Sequence, residues 1–393
     1  MKKQAVVKPS QALLIVGIVF IAINLRPALA SVGPLINDIR AATGLSSMLL
    51  GLLTTLPLLA FGAVSILTPL FTKRFGIGGT LLWALMLLSV GIIVRSIDWI
   101  PALYLGTLML GIAIAFGNVL LPSLTKRNFA AHSGFVTSLY SSVMGLGAAL
   151  AAGLSVPLAQ QFDLGWRGSM GVWALLAVVA FFVWLPQVRR LKKDGTTRSY
   201  LHALKTMGRS VLAWQVALFM GVQSFSFYVI LTWLPALLQS RGYGADFAGW
   251  MLSLSQATGI LGSFVIPFIA GRKADQRSIV VILIVFELLA LVGLLMPQLG
   301  PVSLWVAVIG FVLGGTFGLA LLFIVLRSGD TETATELSGM AQSVGYLIAA
   351  IGPVLFGRLF DLTGSWYVPL LLLIVMAVLR LLFGLAAGRP RFV

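Results

Sequence analysis

The residue with the clearest chemical potential is Arg26, which stands in Asn24-Leu25-Arg26-Pro27 within a long apolar stretch. Between residues 11 and 38 no other charge occurs before the last residue. If this stretch spans a membrane, the guanidinium lies near mid-membrane, where insertion scales put Arg at roughly +2.5 to +3.5 kcal/mol. Such residues usually face a cavity or a partner, so Arg26 is a candidate anion receptor. The alternative is a structural Arg bonded to backbone carbonyls or to a polar group on a neighbouring helix.

Polar side chains on other apolar stretches lie at depths compatible with that of Arg26. In chain order they are Asn118, Tyr140, Gln223, Ser224, Tyr228, Gln256, Gln342 and Tyr346. We expect a substrate site built from these residues and Arg26, with the small residues Ala22, Ala30 and Gly33 on the same helical face as the guanidinium. Polar groups between membrane helices also form interhelical bonds worth about 0.6 kcal/mol on average, so we expect about half of the set to serve packing instead. Asn24 points elsewhere and is expected to bond a neighbouring helix.

Two more charges lie well inside apolar stretches. Glu287 and Arg380 fall at comparable depths on the ninth and twelfth stretches. Because intramembrane charges commonly pair, we expect an ion pair that holds two outer helices together. A proton relay through Glu287 is the alternative.

Catalytic and metal chemistry have little support. The sequence has no Cys and two His, both outside the apolar stretches, so we expect no disulfide, no metal site and no cofactor. An enzyme working inside the membrane would need a nucleophile and a base on the spans, and the sequence offers neither His, Cys nor Asp there. A membrane sensor that binds a ligand without transporting it is a further alternative.

The composition defines the elements that must position these residues. Of 393 residues, 59% are hydrophobic and 10% charged, whereas soluble domains are about 25% charged. The chain is therefore expected to be an all-α integral membrane protein. Stretches of spanning length occur at residues 11–38, 46–71, 77–95, 101–125, 133–160, 166–186, 211–239, 246–270, 277–298, 301–327, 333–360 and 366–387.

The net charge of +16 is explained by topology. With twelve spans, twenty Lys and Arg residues fall on the side of the two termini and five on the other. This positive-inside bias predicts cytoplasmic N- and C-termini in a plasma membrane, as in a bacterial cytoplasmic membrane. Binding to nucleic acid is not indicated, and the lipid bilayer is the expected surrounding.

The chain is predicted to form two similar halves. A basic segment at 187–210 separates six stretches at 1–186 from six at 211–393. At an offset of 198 residues, Gly147 matches Gly345, and Phe162-Asp163-Leu164 matches Phe360-Asp361-Leu362. At an offset of 201, Phe116-Gly117 matches Phe317-Gly318 and Lys126 matches Arg327. One register shared by several helices indicates a parallel repeat joined by a cytoplasmic linker.

This organisation, together with particular residues, resembles a known family. Asn24-Leu25-Arg26-Pro27 with Ser31-Val32-Gly33-Pro34-Leu35, then Leu121 to Arg127, then Gly339 to Gly345, are similar to the cyanate and nitroimidazole permease branch of the major facilitator superfamily. The resemblance covers essentially the whole chain. It implies twelve helices in two six-helix bundles, alternating access, and a small anion or a small polar heteroaromatic compound as substrate.

The loops depart from the wider family in one respect. The family's loop after span two carries an acidic and then a basic residue before a Gly; here Lys73 takes the acidic position, while Arg74 and Gly76 are kept. With Lys126 and Arg127 after span four, these residues form the expected gating set. A multidrug/proton antiporter is the alternative function within transport, but no carboxylate lies inside spans one, four, seven or ten. We expect a monomer that binds a small molecule.

Overall fold

The computed structural model describes residues 9–45, 47–191 and 200–393, and these residues are almost entirely helical. Helices dominate because a backbone in lipid must satisfy its hydrogen bonds within its own segment. The α-helices in the described ranges are α1 (Pro9–Asn24), α2 (Pro27–Ala30), α3 (Ile36–Thr43), α4 (Ser47–Ser65), α5 (Thr68–Arg95), α6 (Ile100–Phe129), α7 (Ser133–Gln160), α8 (Gly165–Gly171), α9 (Trp173–Arg190), α10 (Tyr200–Arg209), α11 (Val211–Gln239), α12 (Ala245–Ala270), α13 (Arg277–Leu295), α14 (Val302–Arg327), α15 (Thr331–Thr363) and α16 (Tyr367–Ala387).

The prediction of twelve spans is confirmed. In the described part of the chain, 10 segments are long and apolar enough to cross a membrane. One of them, Ile100–Gln160, has 61 residues and contains both α6 and α7. A further, shorter apolar helix covers Leu52–Ser65 in α4. The apolar segment of span one, Gln11–Leu35, contains most of α1 and all of α2 and ends just before α3, span six is made of α8 and α9, and α10 lies in the linker.

The boundary between spans two and three is more complex than the sequence suggests. Helix α4 ends at Ser65, and α5 runs from Thr68 to Arg95 across a kink at Gly76. Gly76 has φ 71° and ψ 168°, a conformation that glycine adopts without a Cβ clash. The chain therefore turns at Gly76, next to the two basic residues of the predicted gating loop.

Helix pairing repeats between the two halves, as the fold requires. In the first half α1 packs on α7, α4 on α6 and α5 on α9; in the second α11 packs on α15, α12 on α14 and α13 on α16. These are the same pairs of spans counted from the start of each half. Small residues permit the closest crossing: a Cβ at Gly314 would lie 1.9 Å from the carbonyl oxygen of Gly259, so α12 and α14 meet backbone to backbone.

The halves meet through two symmetry-related pairs of helices. Helix α7 packs on α12, and α4 packs on α15, which joins spans five and eight and spans two and eleven. Helix α15 also packs on α6. The limits of the halves at 1–186 and 211–393 stay a prediction, and most of the side chains of the segment between them lie outside the described residues.

Candidate functional site

Arg26 lies at an interruption of span one. Helix α1 ends at Asn24, α2 begins at Pro27, and Arg26 between them has φ −123° and ψ −33°. Pro27 has no backbone N–H, so it cannot donate to the carbonyl of Ile23 one turn before. The amide of Leu25 donates instead to Ala22 O at 3.1 Å, and those of Leu29 and Ala30 donate to Arg26 O at 3.0 Å. The local sequence therefore breaks the helix at the charged residue.

The guanidinium of Arg26 reaches across to the second half. Its Nη1 donates to the phenolic oxygen of Tyr228 on α11 at 3.3 Å, and its Cζ lies 5.5 Å from the ring centroid of Phe317 on α14. Tyr346 on α15 also interacts with it. A cation over a ring face is attracted by the ring quadrupole. Four inner elements thus converge on one charge.

A second set of contacts continues from Tyr346 into the first half. Asn118 Nδ2 on α6 donates to the phenolic oxygen of Tyr346 at 3.2 Å, and Gln342 Nε2 approaches Asn118 O at 3.5 Å. The ring of Tyr346 lies 4.8 Å from that of Phe61, centroid to centroid. Gln342 Oε1 is buried without a hydrogen-bond partner among the described residues. Arg26, Tyr228, Tyr346, Asn118 and Gln342 are therefore adjacent members of one polar group, which we call the Arg26 cluster.

The remaining predicted binding residues are not part of the Arg26 cluster in this structure. Gln223 Nε2 donates to Leu313 O at 3.1 Å, and Ser224 Oγ donates to Gln223 Oε1 at 3.1 Å. The Tyr140 hydroxyl is buried without a hydrogen-bond partner in the described chain, and Gln256 is half-buried. A role for these four residues in binding stays a prediction. Asn24 donates to Phe20 O at 2.8 Å and to Leu176 O at 3.3 Å, so it bonds a neighbouring helix as expected.

The sequence alone does not identify Phe317 as a neighbour of Arg26. Its signal is the repeat, in which Phe317 matches Phe116. Phe116 itself packs edge-on against Phe71 at 4.8 Å between centroids, whereas Phe317 faces Arg26. The two halves thus use one repeated aromatic position for packing in one case and for the charge in the other.

The contacts between the halves are concentrated on the side of the C-terminus. Ser138 Oγ on α7 donates to Phe264 O on α12 at 2.6 Å, and Ser141 Oγ donates to Ser263 O at 2.9 Å. Ser343 on α15 donates to the carbonyl of Gly62 on α4. The Ser138 and Ser141 bonds lie between the Arg26 cluster and the ends of α7 and α12 that adjoin residues 127–133 and 271–276, and the Ser343 bond lies next to Gln342 at the depth of the cluster. The structure is therefore closed on that side.

The predicted gating residues lie at the same side. Lys73 and Arg74 are exposed, and Arg74 Cζ lies 5.4 Å from the Phe75 ring centroid. Lys126 Nζ lies 5.8 Å from the Phe392 ring centroid, which links α6 to the C-terminal segment. Arg127 is partly buried. A gating function for these residues and for Gly76 stays a prediction.

The loop after span eight contains a local ion pair. Arg277 Nη2 lies 2.6 Å from Asp275 Oδ2, and Asp275 Oδ1 accepts from the Arg277 amide at 2.9 Å. These hydrogen bonds hold the pKa of the Asp275 carboxyl below its usual value. The loop therefore keeps its shape at the entrance to α13.

Glu287 and Arg380 are in contact in the interior of the second half. Arg380 Nη2 lies 2.9 Å from Glu287 Oε1, and the two side chains are 0% and 1% exposed. Arg380 also donates to Ser226 Oγ on α11 at 2.7 Å and to Thr316 Oγ1 on α14 at 3.4 Å. The pair therefore connects two outer helices with two inner ones. Its contribution to stability stays a prediction.

Comparison with known proteins identifies the family. The family model described as Major Facilitator Superfamily matches residues 12–353. The chain is 41% identical over 384 residues to the 2-nitroimidazole transporter of Escherichia coli (strain K12), covering 97% of both chains. It is 30% identical over 353 residues to the cyanate transport protein CynX of the same strain, covering 89% of this chain and 90% of that one.

Two further similarities agree. The chain is 43% identical to the uncharacterized transporter YycB of Bacillus subtilis (strain 168) over 381 residues, covering 97% of this chain and 94% of the relative. Among solved structures, the transporter FucP in the outward conformation superposes with a TM-score of 0.77 at 12% identity, covering 96% of this chain and 100% of that one. The twelve-helix protein described above is a multi-pass membrane transporter and belongs to the major facilitator superfamily.

Proposed function

We propose that this transporter moves a small planar solute with a negatively charged or negatively polarised terminal group, and that Arg26 binds that group. The supporting observation is the position of Arg26, whose guanidinium contacts Tyr228, Phe317 and Tyr346 from the opposite half. No carboxylate of the described residues contributes to its environment. A permanent cation held by phenols and a ring face is free to take an anion as its counter-charge.

The solutes named for two of the relatives, 2-nitroimidazole and cyanate, share one chemistry. Cyanate is a small linear anion, and 2-nitroimidazole carries a nitro group whose oxygens are negatively polarised. Both can place oxygen or nitrogen acceptors on the guanidinium of Arg26. The rings of Phe317, Tyr228 and Tyr346 suit a flat solute, because ring faces and edges stack on planar groups. We therefore propose either a small anion, such as cyanate or a small carboxylate, or a small polar heteroaromatic compound.

The contacts between the halves support a mechanism of alternating access. Transporters of this fold rock two bundles about a site near the midplane. The Arg26 cluster contains residues from both proposed bundles, and the Ser138–Phe264 and Ser141–Ser263 contacts close the side of the C-terminus. With both termini in the cytoplasm of a bacterial cell, as the charge bias indicates, this state would bind solute from outside.

The proposal is tested by ligand binding and flux. Purified protein is screened by thermal shift against cyanate, nitrate, small carboxylates and nitroimidazoles, because a ligand that binds the folded state raises its apparent stability. Arg26→Gln should abolish the shift and saturable uptake into proteoliposomes, without loss of folding. For a carboxylate, Arg26→Lys should also fail; for cyanate, a point charge should retain part of the activity.

The matched control is Arg389→Gln, which removes an exposed arginine outside the spans. It should bind and transport like the unmodified protein. If folded Arg26→Gln protein keeps the original affinity for every solute that binds, Arg26 is structural and the proposal is wrong. Saturable uptake of cyanate or of a small carboxylate would identify the anion class, and saturable uptake of a nitroimidazole would identify the neutral class.

A further inference from the structure

The interruption of span one leaves a backbone carbonyl that the helix itself does not satisfy. Beyond Pro27 the amide of Ser31 donates to Pro27 O at 2.9 Å, and the amide of Val32 donates to Leu29 O at 3.4 Å. Ala28 O therefore does not receive the amide four residues later, which would be its donor in a regular helix. Unpaired backbone groups in a membrane interior are costly, so another donor is needed.

Arg95 supplies that donor. It is the last residue of α5, and its side chain turns inward, so that the residue is 1% exposed. Its Nη1 donates to Ala28 O at 2.5 Å across 67 residues of sequence. Ser31 Oγ also approaches Ala28 O, at 3.4 Å. The guanidinium thus makes a charge-assisted hydrogen bond, which is stronger than a neutral one.

Burial of the Arg95 guanidinium carries a desolvation cost that a packing role alone does not explain. Its Nε and Nη2 are buried without hydrogen-bond partners in the described chain. A Met of similar length would fill the space without a desolvation cost. The single bond to Ala28 O is the contact that distinguishes arginine from an apolar side chain at this position.

The surrounding backbone is rigid enough for this bond to fix the position of α2. A Cβ at Gly106 on α6 would lie 2.3 Å from the Arg95 amide nitrogen, so the end of α5 is locked against α6. On the other side of span one, a Cβ at Gly147 on α7 would lie 2.5 Å from Ile23 O. The interruption is therefore held from α5 by a hydrogen bond and from α7 by close contact.

We infer that Arg95 is a positioning residue for substrate binding: by holding Ala28 O it fixes α2 and directs Arg26 toward Tyr228. Arg26 caps the N-terminus of α2, and its carbonyl accepts the amides of Leu29 and Ala30 at 3.0 Å. A rotation of α2 would therefore move the backbone of Arg26. This inference rests on the proposed role of Arg26.

The test compares three single variants in proteoliposomes, with cyanate and 2-nitroimidazole as the two solutes assayed. Arg95→Met should fold with a melting temperature near that of the unmodified protein, because removal of the buried guanidinium, with its unpaired Nε and Nη2, offsets the loss of its bond to Ala28 O. It should raise KM by about tenfold or more, with a smaller change in Vmax, because misplacement of a binding group is costly. Arg95→Lys, which keeps a cationic donor, should recover part of the affinity. The control is Arg241→Met, since Arg241 also donates to a backbone carbonyl, that of Leu294 on α13, from the loop after α11. Its KM should not change.

A double variant separates positioning from general stability. If Arg95 acts through Arg26, Arg95→Met should add little to the loss already caused by Arg26→Lys, because coupled residues give non-additive effects. An additive loss, or an unchanged KM in folded Arg95→Met, would overturn the inference. If Arg26→Gln itself leaves affinity unchanged, the proposed function fails first. If Arg26→Gln loses affinity and Arg95→Met does not, only the role of Arg95 fails.

Discussion

Arg26 Nη1 and the phenolic oxygen of Tyr228 lie 3.3 Å apart although 202 residues separate them in the chain. One residue is at the interruption of span one and the other in the middle of span seven, the first span of each half. The charge of one half is therefore oriented by a phenol of the other. A solute that binds here contacts both halves at once, which is what a transporter that rocks its halves requires.

Removal of the Tyr228 hydroxyl should weaken substrate binding. A hydrogen bond to a charged group is worth about 1.5–3 kcal/mol, so Tyr228→Phe should raise Kd by about 10- to 150-fold, since 1.4 kcal/mol is one factor of ten. The ring remains to pack on Phe227, whose centroid lies 5.4 Å away. Titration calorimetry measures the change. Tyr104→Phe is the control, because that hydroxyl bonds Leu49 O at 3.0 Å near the start of α6; an equal loss there would contradict a specific role for Tyr228.

Loss of one partner of the Glu287–Arg380 pair should destabilise the protein strongly, whereas replacement of both partners with apolar residues should change its stability little. Glu287→Gln leaves Arg380 buried without its counter-charge, and such a loss costs about 3–5 kcal/mol. The double variant Glu287→Leu with Arg380→Leu should lie within about 2 kcal/mol of the unmodified protein, because it removes both desolvation penalties. Unfolding in mixed detergent measures both values.

The same variants decide whether Glu287 carries a proton. If the pair is structural, the folded fraction of Glu287→Gln should transport with the pH dependence of the unmodified protein. A pH dependence lost in Glu287→Gln at normal Kd would instead favour the proton relay. That result would contradict a purely structural pair.

The twelve spans could be predicted because hydropathy and lipid leave the chain few alternatives: a spanning segment must be a helix of about 20 apolar residues. The contact of Glu287 with Arg380 could also be expected, since both charges lie at one depth. The helical face that Arg26 shares with other residues could not be predicted in this way. A helical projection assumes a continuous helix, and the structure interrupts it at Arg26 and Pro27, so Ala30 and Gly33 do not extend the face of α1.

Arg95 shows a second limit of sequence reasoning. Because Arg95 stands at the end of span three, the count of charges on the two sides places it among the residues outside the membrane. The structure buries it instead, because Gly91 and Gly106 let α5 and α6 approach closely: a Cβ at Gly91 would lie 2.9 Å from the Leu110 amide nitrogen. This packing determines which residue at the end of a helix turns inward. A hydropathy pattern does not contain that information.

The orientation predicted from charge bias can be tested directly, because the chain has no Cys. Single cysteines are introduced as Ser365→Cys, between spans eleven and twelve, and Lys273→Cys, between spans eight and nine; both positions are exposed. In intact cells a membrane-impermeant maleimide should label the first and not the second. The unmodified protein is the blank. Labelling of Lys273→Cys from outside would contradict cytoplasmic termini.

The closure between α7 and α12 should depend on serine hydroxyls. Each neutral hydrogen bond contributes about 0.5–1.5 kcal/mol, so Ser138→Ala with Ser141→Ala should weaken the closed state by about 2 kcal/mol. Because these contacts lie on the side of the C-terminus, spin labels at Lys73→Cys and Lys273→Cys, one on each half, report the change. The population at longer distance should rise in the double variant.

Two comparison variants make that result interpretable. Ser253→Ala removes a hydroxyl that bonds Gly249 O at 3.1 Å within α12 itself, and it should leave the distances unchanged. Gly134→Leu should keep α7 and α12 apart on the side of the C-terminus, because a Cβ there would lie 2.6 Å from Pro267 O and 2.8 Å from the Gly271 Cα. If Gly134→Leu lengthens the distance and the double serine variant does not, close backbone contact rather than hydroxyl bonding determines closure. If the double serine variant opens the gate, transport should then become limited by return to the closed state, and Vmax should fall while Kd at the Arg26 cluster stays nearly constant.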